Sequence, residues 1–372
     1  MQVLIITAVV VALFAFIANR QYNYAFAKNP VTGKPGSGKL TSYYLFVFVC
    51  AAILSTVGGL RFYVGADFGG YYWGYVNYVQ ELPTRLANWD EPGISLLAKI
   101  LYFFSQDGAA FIFVTATLTV SLFVFTLSKH TDDFFFVIML YIFTSCWSGC
   151  FNGVRQYLAA AILFAGHRFI FDRKLIKYCI VVFIASSFHI TALIMLPIYF
   201  LITKNLDIKK ILFIMVSGIV MIYSYDFLFE LVGILKDSET GGANTQYAQN
   251  TIHPLRVVIS LAPILLYFFL VIQKNTFSAE ENFYMGFIFV NAAITVATSN
   301  SAYLNRAGIY FLPFIPLSLL FLINKFDKNQ QFIIKAVVLI LYAVVWLYID
   351  ASKIGEWNWV FDRAEAYYNK YA

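Results

Sequence analysis

The stretch "FNGVRQYLA" places Asn152, Arg155 and Gln156 at i, i+3 and i+4, on one face at the N-terminal end of an otherwise apolar helix. Three polar groups there need a watery or protein-lined environment. A guanidinium holds phosphate as a bidentate fork, and a helix N-terminus adds partial positive charge, so Arg155 suits a diphosphate. "YLNRAGIYF" repeats the pattern, with Asn305 and Arg306 at a polar helix start and Tyr310 one turn on. Arg61, in "GLRFYVGADFGGYYWGY", is a third candidate for the same anion. Asp67 in that stretch, Glu91 in "NWDEPG" and His189 in "SSFHITAL" are candidates for a general base that deprotonates a hydroxyl. The residues alone do not rank these three.

Each also has a plain structural reading. Arg61 follows Gly58 and Gly59 at a helix end and can snorkel to lipid headgroups. Asp67 can close an Asx turn, Glu91 before Pro92 can be a solvated turn residue, and His189 can be a satisfied structural histidine. Phe62, Tyr63, Phe68, Tyr71, Tyr72, Trp73, Tyr75 and Tyr78 crowd into 62–78. Half or more of them are expected in an interfacial aromatic belt. Sugar rings also stack on aromatic faces, with Tyr72 and Trp73 the candidates, and the paired glycines let a ligand approach the backbone.

The elements that must carry these residues are membrane helices. Of 372 residues 60 % are hydrophobic and only 12 % charged, against roughly 25 % charged in soluble domains. Apolar segments recur near 2–18, 40–60, 109–128, 134–149, 154–171, 175–187, 188–203, 211–235, 255–273, 283–298, 307–323 and 332–350, which predicts about twelve spans. The run 94–105, with Lys99 inside it, reads as an interfacial helix in the first outer loop. The first apolar run has no basic region before it and no cleavage site after it, so it is expected to stay as a helix. No stretch is polar enough for a soluble domain, so 1–372 reads as one polytopic membrane domain.

Basic residues orient it. The loops 19–39, 129–133, 172–177, 204–210, 274–282 and 324–331 hold most of the lysines, and the positive-inside rule makes that face cytoplasmic. The other face then receives 61–108, 150–153, a hairpin tip near His189, 236–254, 299–306 and both termini. Every candidate named above falls on that outer face, as an anionic substrate held there would require. The loop 236–254 reads equally as a mobile lid or a connector. The net charge of +6 sits at span ends, so nucleic acid is not an expected partner. "GKPGSGK" at 33–39 lies between two membrane helices and lacks the strand-to-helix setting of a phosphate loop. Cys50, Cys146, Cys150 and Cys179 lack the spacing of a zinc site or a disulfide framework.

"GLRFYVGADFGGYYWGY", "WDEPGISLLAKI", "FNGVRQYLAAAI", "SSFHITALIMLPIYF" and "NRAGIYFLPFI" together resemble, in order, the EpsG family of bacterial exopolysaccharide proteins, related to the Wzy polymerases. The resemblance runs from about residue 59 to 315, most specifically in "NGVRQ" and "FH". It implies an all-α polytopic bundle similar to GT-C glycosyltransferases. Such a protein would polymerise undecaprenyl-diphosphate-linked repeat units of O-antigen or exopolysaccharide at the outer face of the bacterial inner membrane. Its partners would be the lipid-linked donor and acceptor, the bilayer and a chain-length regulator, with no nucleotide sugar, cofactor or metal. By motif, Arg61 and Asp67 match the family's R…G-x-D, Glu91 its E-x-G, Arg155 its N-x-x-R-Q and His189 its F-H. Ala66 stands where the family often has Thr, which leaves no hydroxyl there. The alternatives are a flippase of the lipid-linked unit, or an O-antigen ligase or other GT-C enzyme.

Overall fold

The computed structural model describes residues 1–26, 37–223, 251–354 and 356–362. Most of the basic loop 28–39, the part of 211–235 beyond Tyr223, most of the outer loop 236–254 and the tail beyond 362 lie outside them. The described chain is helical except for two strands of two residues each. Among the described residues five helices are long and apolar enough to cross a membrane: Gln2–Asn23, Leu40–Gly59, Gly108–Lys129, Pro254–Ile272 and Lys328–Lys353. A bent pair, Ala302–Tyr310 and Leu312–Ile323, turned by 47°, makes a sixth if it counts as one span. This is the architecture of an all-α membrane protein.

Three of the remaining apolar segments, 134–149, 154–171 and 188–203, are cut shorter than hydropathy alone suggests, because hydropathy does not register breaks in the backbone. The segment 134–149 becomes Phe134–Phe143 and Cys146–Gly149, parted at Ser145, which takes a left-handed φ of 64°. Val154–Ala165 ends at Gly166, where a Cβ would strike the Val181 side chain at 2.6 Å. The expected span 188–203 is a 3-10 turn, Ile190–Met195, and a single helical turn, Ile198–Leu201. Pro197 between them has no N–H to continue the ladder.

The chain divides into two compact units. The first holds Met1–Arg168, Leu175–Leu196 and the described residues from Leu339 onward. In it, the Gln2–Phe26 and Ser37–Gly59 helices run antiparallel, Tyr22 against Tyr43 at 5.2 Å and the Cys50 thiol 3.8 Å from the Val11 carbonyl. Ser37–Gly59 is likewise antiparallel to Gly108–Lys129. Tyr43 donates to the Ser128 carbonyl at 2.8 Å, and at the far end Gly59 packs on Phe113, where a Cβ would come within 2.6 Å of the ring. Leu175–Phe188 is followed by a chain reversal at His189, closed by Tyr178 donating to the Met195 carbonyl at 2.9 Å.

The strands pair antiparallel, Arg61 with Trp359 and Phe62 with Asn358. The Met1 amine lies 3.5 Å from the Ile354 carbonyl. Within this unit the first residue, the described part of the C-terminal tail and the start of the 61–108 segment therefore share one face. That segment is not an open loop: it folds as short helices Phe68–Trp73, Tyr75–Gln80, Leu82–Asn88 and Pro92–Tyr102. Phe62, Phe68, Tyr71, Tyr75, Ile94, Ala98, Phe111 and Val154 form an apolar cluster beneath them.

The second unit holds Phe169–Lys174 and the described residues of Pro197–Val338. Its centre is the Ala279–Ala297 helix, begun by a capping box between Ser278 and Glu281. Phe287 stacks on Phe314 of the bent pair at 3.7 Å.

Candidate functional site

In the first unit Glu91 is the hub. Its Oε2 accepts from Arg155 Nη1, and its Oε1 lies 2.6 Å from His189 Nδ1 and accepts from the Ile190 N–H at 3.1 Å. Glu91 is 4 % exposed, and both oxygens are engaged. Burial pushes its carboxyl up. The His189 hydrogen bond, the charges of Arg155 and His189 and the Ile190 N–H outweigh burial and hold it down at about 2. An ionised carboxylate only accepts, so His189 Nδ1 carries the proton and Nε2 is left with a lone pair when the ring is neutral.

Local backbone strain builds this hub. The Leu82–Asn88 helix ends at Trp89 in the left-handed region, with φ 51°, and Glu91 at the start of Pro92–Tyr102 is also left-handed, with φ 50°. Each costs about 1–2 kcal/mol for a non-glycine residue. The turn is held from three sides. Trp89 stacks on Phe183 at 4.3 Å, Asp90 takes Arg85 through both its carbonyl, at 3.1 Å, and its carboxylate, at 3.0 Å, and Glu91 takes Arg155 and His189. Gly93 admits the second wall: a Cβ there would stand 2.2 Å from Ser187 Oγ and 2.9 Å from its carbonyl. Only a residue without a side chain lets Pro92–Tyr102 come this close to the end of Leu175–Phe188, two residues before His189.

Arg155 is the second residue of Val154–Ala165. Besides Glu91 it has the Tyr71 hydroxyl as a hydrogen-bond partner and the Tyr78 ring 6.0 Å away, and its side chain keeps 29 % exposure. Tyr78 faces a second guanidinium, Arg85, at 5.4 Å. Composition alone missed Tyr71, Tyr78, Arg85 and Gly93 as parts of this site. The pair Pro92-Gly93 directly after an acid was the one available signal, since glycine there marks close backbone approach.

The structure brings Glu91, Arg155 and His189 together. Arg61 is 1 % exposed and binds three backbone carbonyls, those of Val64 at 3.2 Å, Phe151 at 3.1 Å and Gly58. Burial pushes its guanidinium down to about 10, still charged at neutral pH. With its fork closed on carbonyls, it clamps the end of the Ser37–Gly59 helix to the turn before Arg155. Asn152 lies in that turn. It precedes the helix, and its side-chain oxygen accepts the Ala66 N–H at 2.6 Å, next to Gly65 at φ +100°. Asp67 does not cap the helix it precedes. Gln156 is buried, 6 % exposed. Tyr72 stacks on Phe68 at 5.5 Å as part of the packed cluster, whereas Trp73 is 58 % exposed and donates to the Tyr63 hydroxyl at 2.8 Å. Of the two sugar-stacking candidates, only Trp73 presents an open face.

Asn305, Arg306 and Tyr310 belong to the second unit. Arg306 caps the C-terminal end of Ala302–Asn305 and opens a 3-10 turn, so the argument from a helix N-terminus does not apply to it. Asn305 donates to Thr298 Oγ1 at 3.0 Å, and Tyr310 is buried. Among the described residues no cluster of His, Cys, Asp and Glu is fit to hold a metal ion.

Neither curated proteins nor solved structures yield a match to the chain. A family comparison matches residues 43–361 to the EpsG family, beyond both ends of the 59–315 stretch that carries the motifs. With nearly its whole length matched, this helical membrane protein belongs to the EpsG family, which includes Wzy-type polymerases.

Proposed function

We propose that the protein polymerises undecaprenyl-diphosphate-linked oligosaccharide repeat units at the outer face of the bacterial inner membrane, as one polytopic domain of about twelve spans similar to GT-C glycosyltransferases. The observation that carries this reading is the single carboxylate, Glu91, joining a partly exposed arginine to the Nδ1 of a histidine and so leaving the lone pair on its Nε2. The acceptor sugar hydroxyl gives its proton to His189 Nε2 as its oxygen bonds to the anomeric carbon of the donor. The bond from that carbon to the diphosphate breaks, and undecaprenyl diphosphate leaves with the electron pair. Glu91 fixes the histidine tautomer and stabilises the imidazolium, so it positions the base and is not the base itself. Arg155 neutralises charge growing on the diphosphate.

Replacing Arg155 by Ala tests this. At normal protein level, polymer formation by cells is expected to fall about 10²–10³-fold, the loss typical of one electrostatic stabiliser of a transition state. Full-length polysaccharide from this variant would sink the diphosphate role. Purified protein given lipid-linked repeat units is expected to produce a ladder of products.

The bent pair Ala302–Tyr310 and Leu312–Ile323 favours a second reading, since transporters place substrate at broken helices. Cells lacking the gene separate the two: loss of a polymerase leaves single repeat units outside, whereas loss of a flippase leaves none.

A further inference from the structure

A row of polar side chains crosses the second unit. Asn291, Thr295 and Thr298 recur at i, i+4 and i+7 on the Ala279–Ala297 helix and its cap, so they share one face. They are 2 %, 7 % and 0 % exposed. Their donors are largely committed: Thr295 Oγ1 donates to the Asn291 carbonyl at 2.8 Å, Thr298 Oγ1 to Ile294 at 2.7 Å, and Asn305 Nδ2 to Thr298 Oγ1 at 3.0 Å. What stays open is acceptor capacity. Among the described residues Asn291 Oδ1 is buried with no hydrogen-bond partner, a state that finished folds rarely leave unmet.

A second observation shows where that oxygen points. Gly308 is buried in the 3-10 turn of the bent pair, yet among the described residues, apart from its own stretch of chain, a Cβ built on it meets only one atom within 4 Å, Asn291 Oδ1 at 3.6 Å. A buried position with so few neighbours is a gap, and the unpaired oxygen borders it. The backbone beside it is 3-10 and bent, as happens at membrane depth where irregular chain lines a cavity.

We propose that Asn291, at the gap beside Gly308, with Thr295 and Asn305 in the row that continues from it, forms a subsite for sugar hydroxyls of the lipid-linked substrate, with Asn291 as a specificity-determining residue. This rests on the substrate class proposed above. Hydroxyls donate hydrogen bonds and suit an acceptor row. A diphosphate at neutral pH only accepts and cannot satisfy the unpaired Asn291 oxygen, so this row favours the glycan part of the molecule. The row contains no carboxylate and Arg306 follows Asn305 in the chain, which disfavours a metal cation.

The test uses purified full-length protein in lipid nanodiscs and two probes: the undecaprenyl-diphosphate-linked oligosaccharide fraction of the cells that make the protein, and undecaprenyl diphosphate without sugar. Wild type is expected to bind the glycosylated probe more tightly. Asn291→Leu is expected to weaken that binding about 3–10-fold, the range of one neutral hydrogen bond, and to leave the bare diphosphate unaffected. Its Tm is expected to equal or exceed wild type, because leucine removes an unpaired buried acceptor. Gly308→Ala, with its methyl in the gap, is expected to weaken the glycosylated probe alone. Equal losses for both probes, no loss for either, or a fall in Tm without loss of binding overturns the proposal; the last would mean that Asn291 holds a structural water. Sodium-dependent binding abolished by Asn291→Leu would also overturn it, in favour of a cation site. A probe that binds in the expected pattern but yields no polymer ladder leaves the subsite standing and removes the polymerase reading. A normal ladder without the binding pattern does the reverse.

Discussion

Glu91 receives hydrogen bonds from an arginine, a histidine and a backbone amide, and these set its pH behaviour. Its carboxyl is held at about 2 against an ordinary 4.5. A folded value below the unfolded one adds stability that is complete above about pH 4.5 and disappears as pH falls toward 2, on the order of 3 kcal/mol in all. The Tm difference between wild type and Glu91→Gln is therefore expected to be constant from pH 7 to 5 and to shrink toward zero near pH 2. A difference unchanged down to pH 2 would mean that the carboxylate is not held this way. The same variant is expected to lose about 10²–10⁴-fold in polymer formation in vitro, because a neutral amide no longer orients the base. Sequence showed Glu91, Arg155 and His189 as three candidates of separate origin. Their convergence was not legible, because it depends on a left-handed turn at 89–91 and on a chain reversal at His189 that no periodicity encodes.

At the scale of elements, two glycines show how much position decides. Gly93 touches Ser187 and cannot carry a side chain, whereas a Cβ on Gly70 in the Phe68–Trp73 helix meets nothing within 4 Å. Gly93→Ala is expected to destabilise by about 1–3 kcal/mol through overpacking and to abolish polymer formation by parting Glu91 from His189. Gly70→Ala is expected to stabilise by about 0.5–1 kcal/mol through helix propensity with activity kept. Thermal unfolding and a ladder assay on both variants check the pair. The long helices were legible because 18 or more apolar residues in a row have few other folds available in lipid. The interior of 61–108 was not. Its aromatics read as a belt, whereas Phe62, Phe68, Tyr71 and Tyr75 pack on one another as a small core above Phe111.

At the scale of the molecule, the first unit carries its topology in two contacts, the Met1 amine with Ile354 and the pairing of Arg61–Phe62 with Asn358–Trp359. They bring the chain start and the described tail to the face of Ala66. In intact cells a membrane-impermeant maleimide is expected to label Ala66→Cys and a cysteine added before Met1, while Lys129→Cys at the opposite end of Gly108–Lys129 reacts only after permeabilisation. Cys50, Cys146 and Cys150 are buried and Cys179 is half-buried, so a Cys179→Ser background keeps the signal clean. Labelling of Ala66→Cys and Lys129→Cys from the same side would overturn this arrangement. The strand pairing also orders events in time. Ribosomes deliver Asn358 and Trp359 almost three hundred residues after Arg61, yet Val360 donates to the Leu60 carbonyl at 3.0 Å, next to the Arg61 that binds the Phe151 carbonyl. A pairing between segments so far apart in the chain closes late, so it is expected to form only after the Ser37–Gly59 and Gly108–Lys129 helices have met.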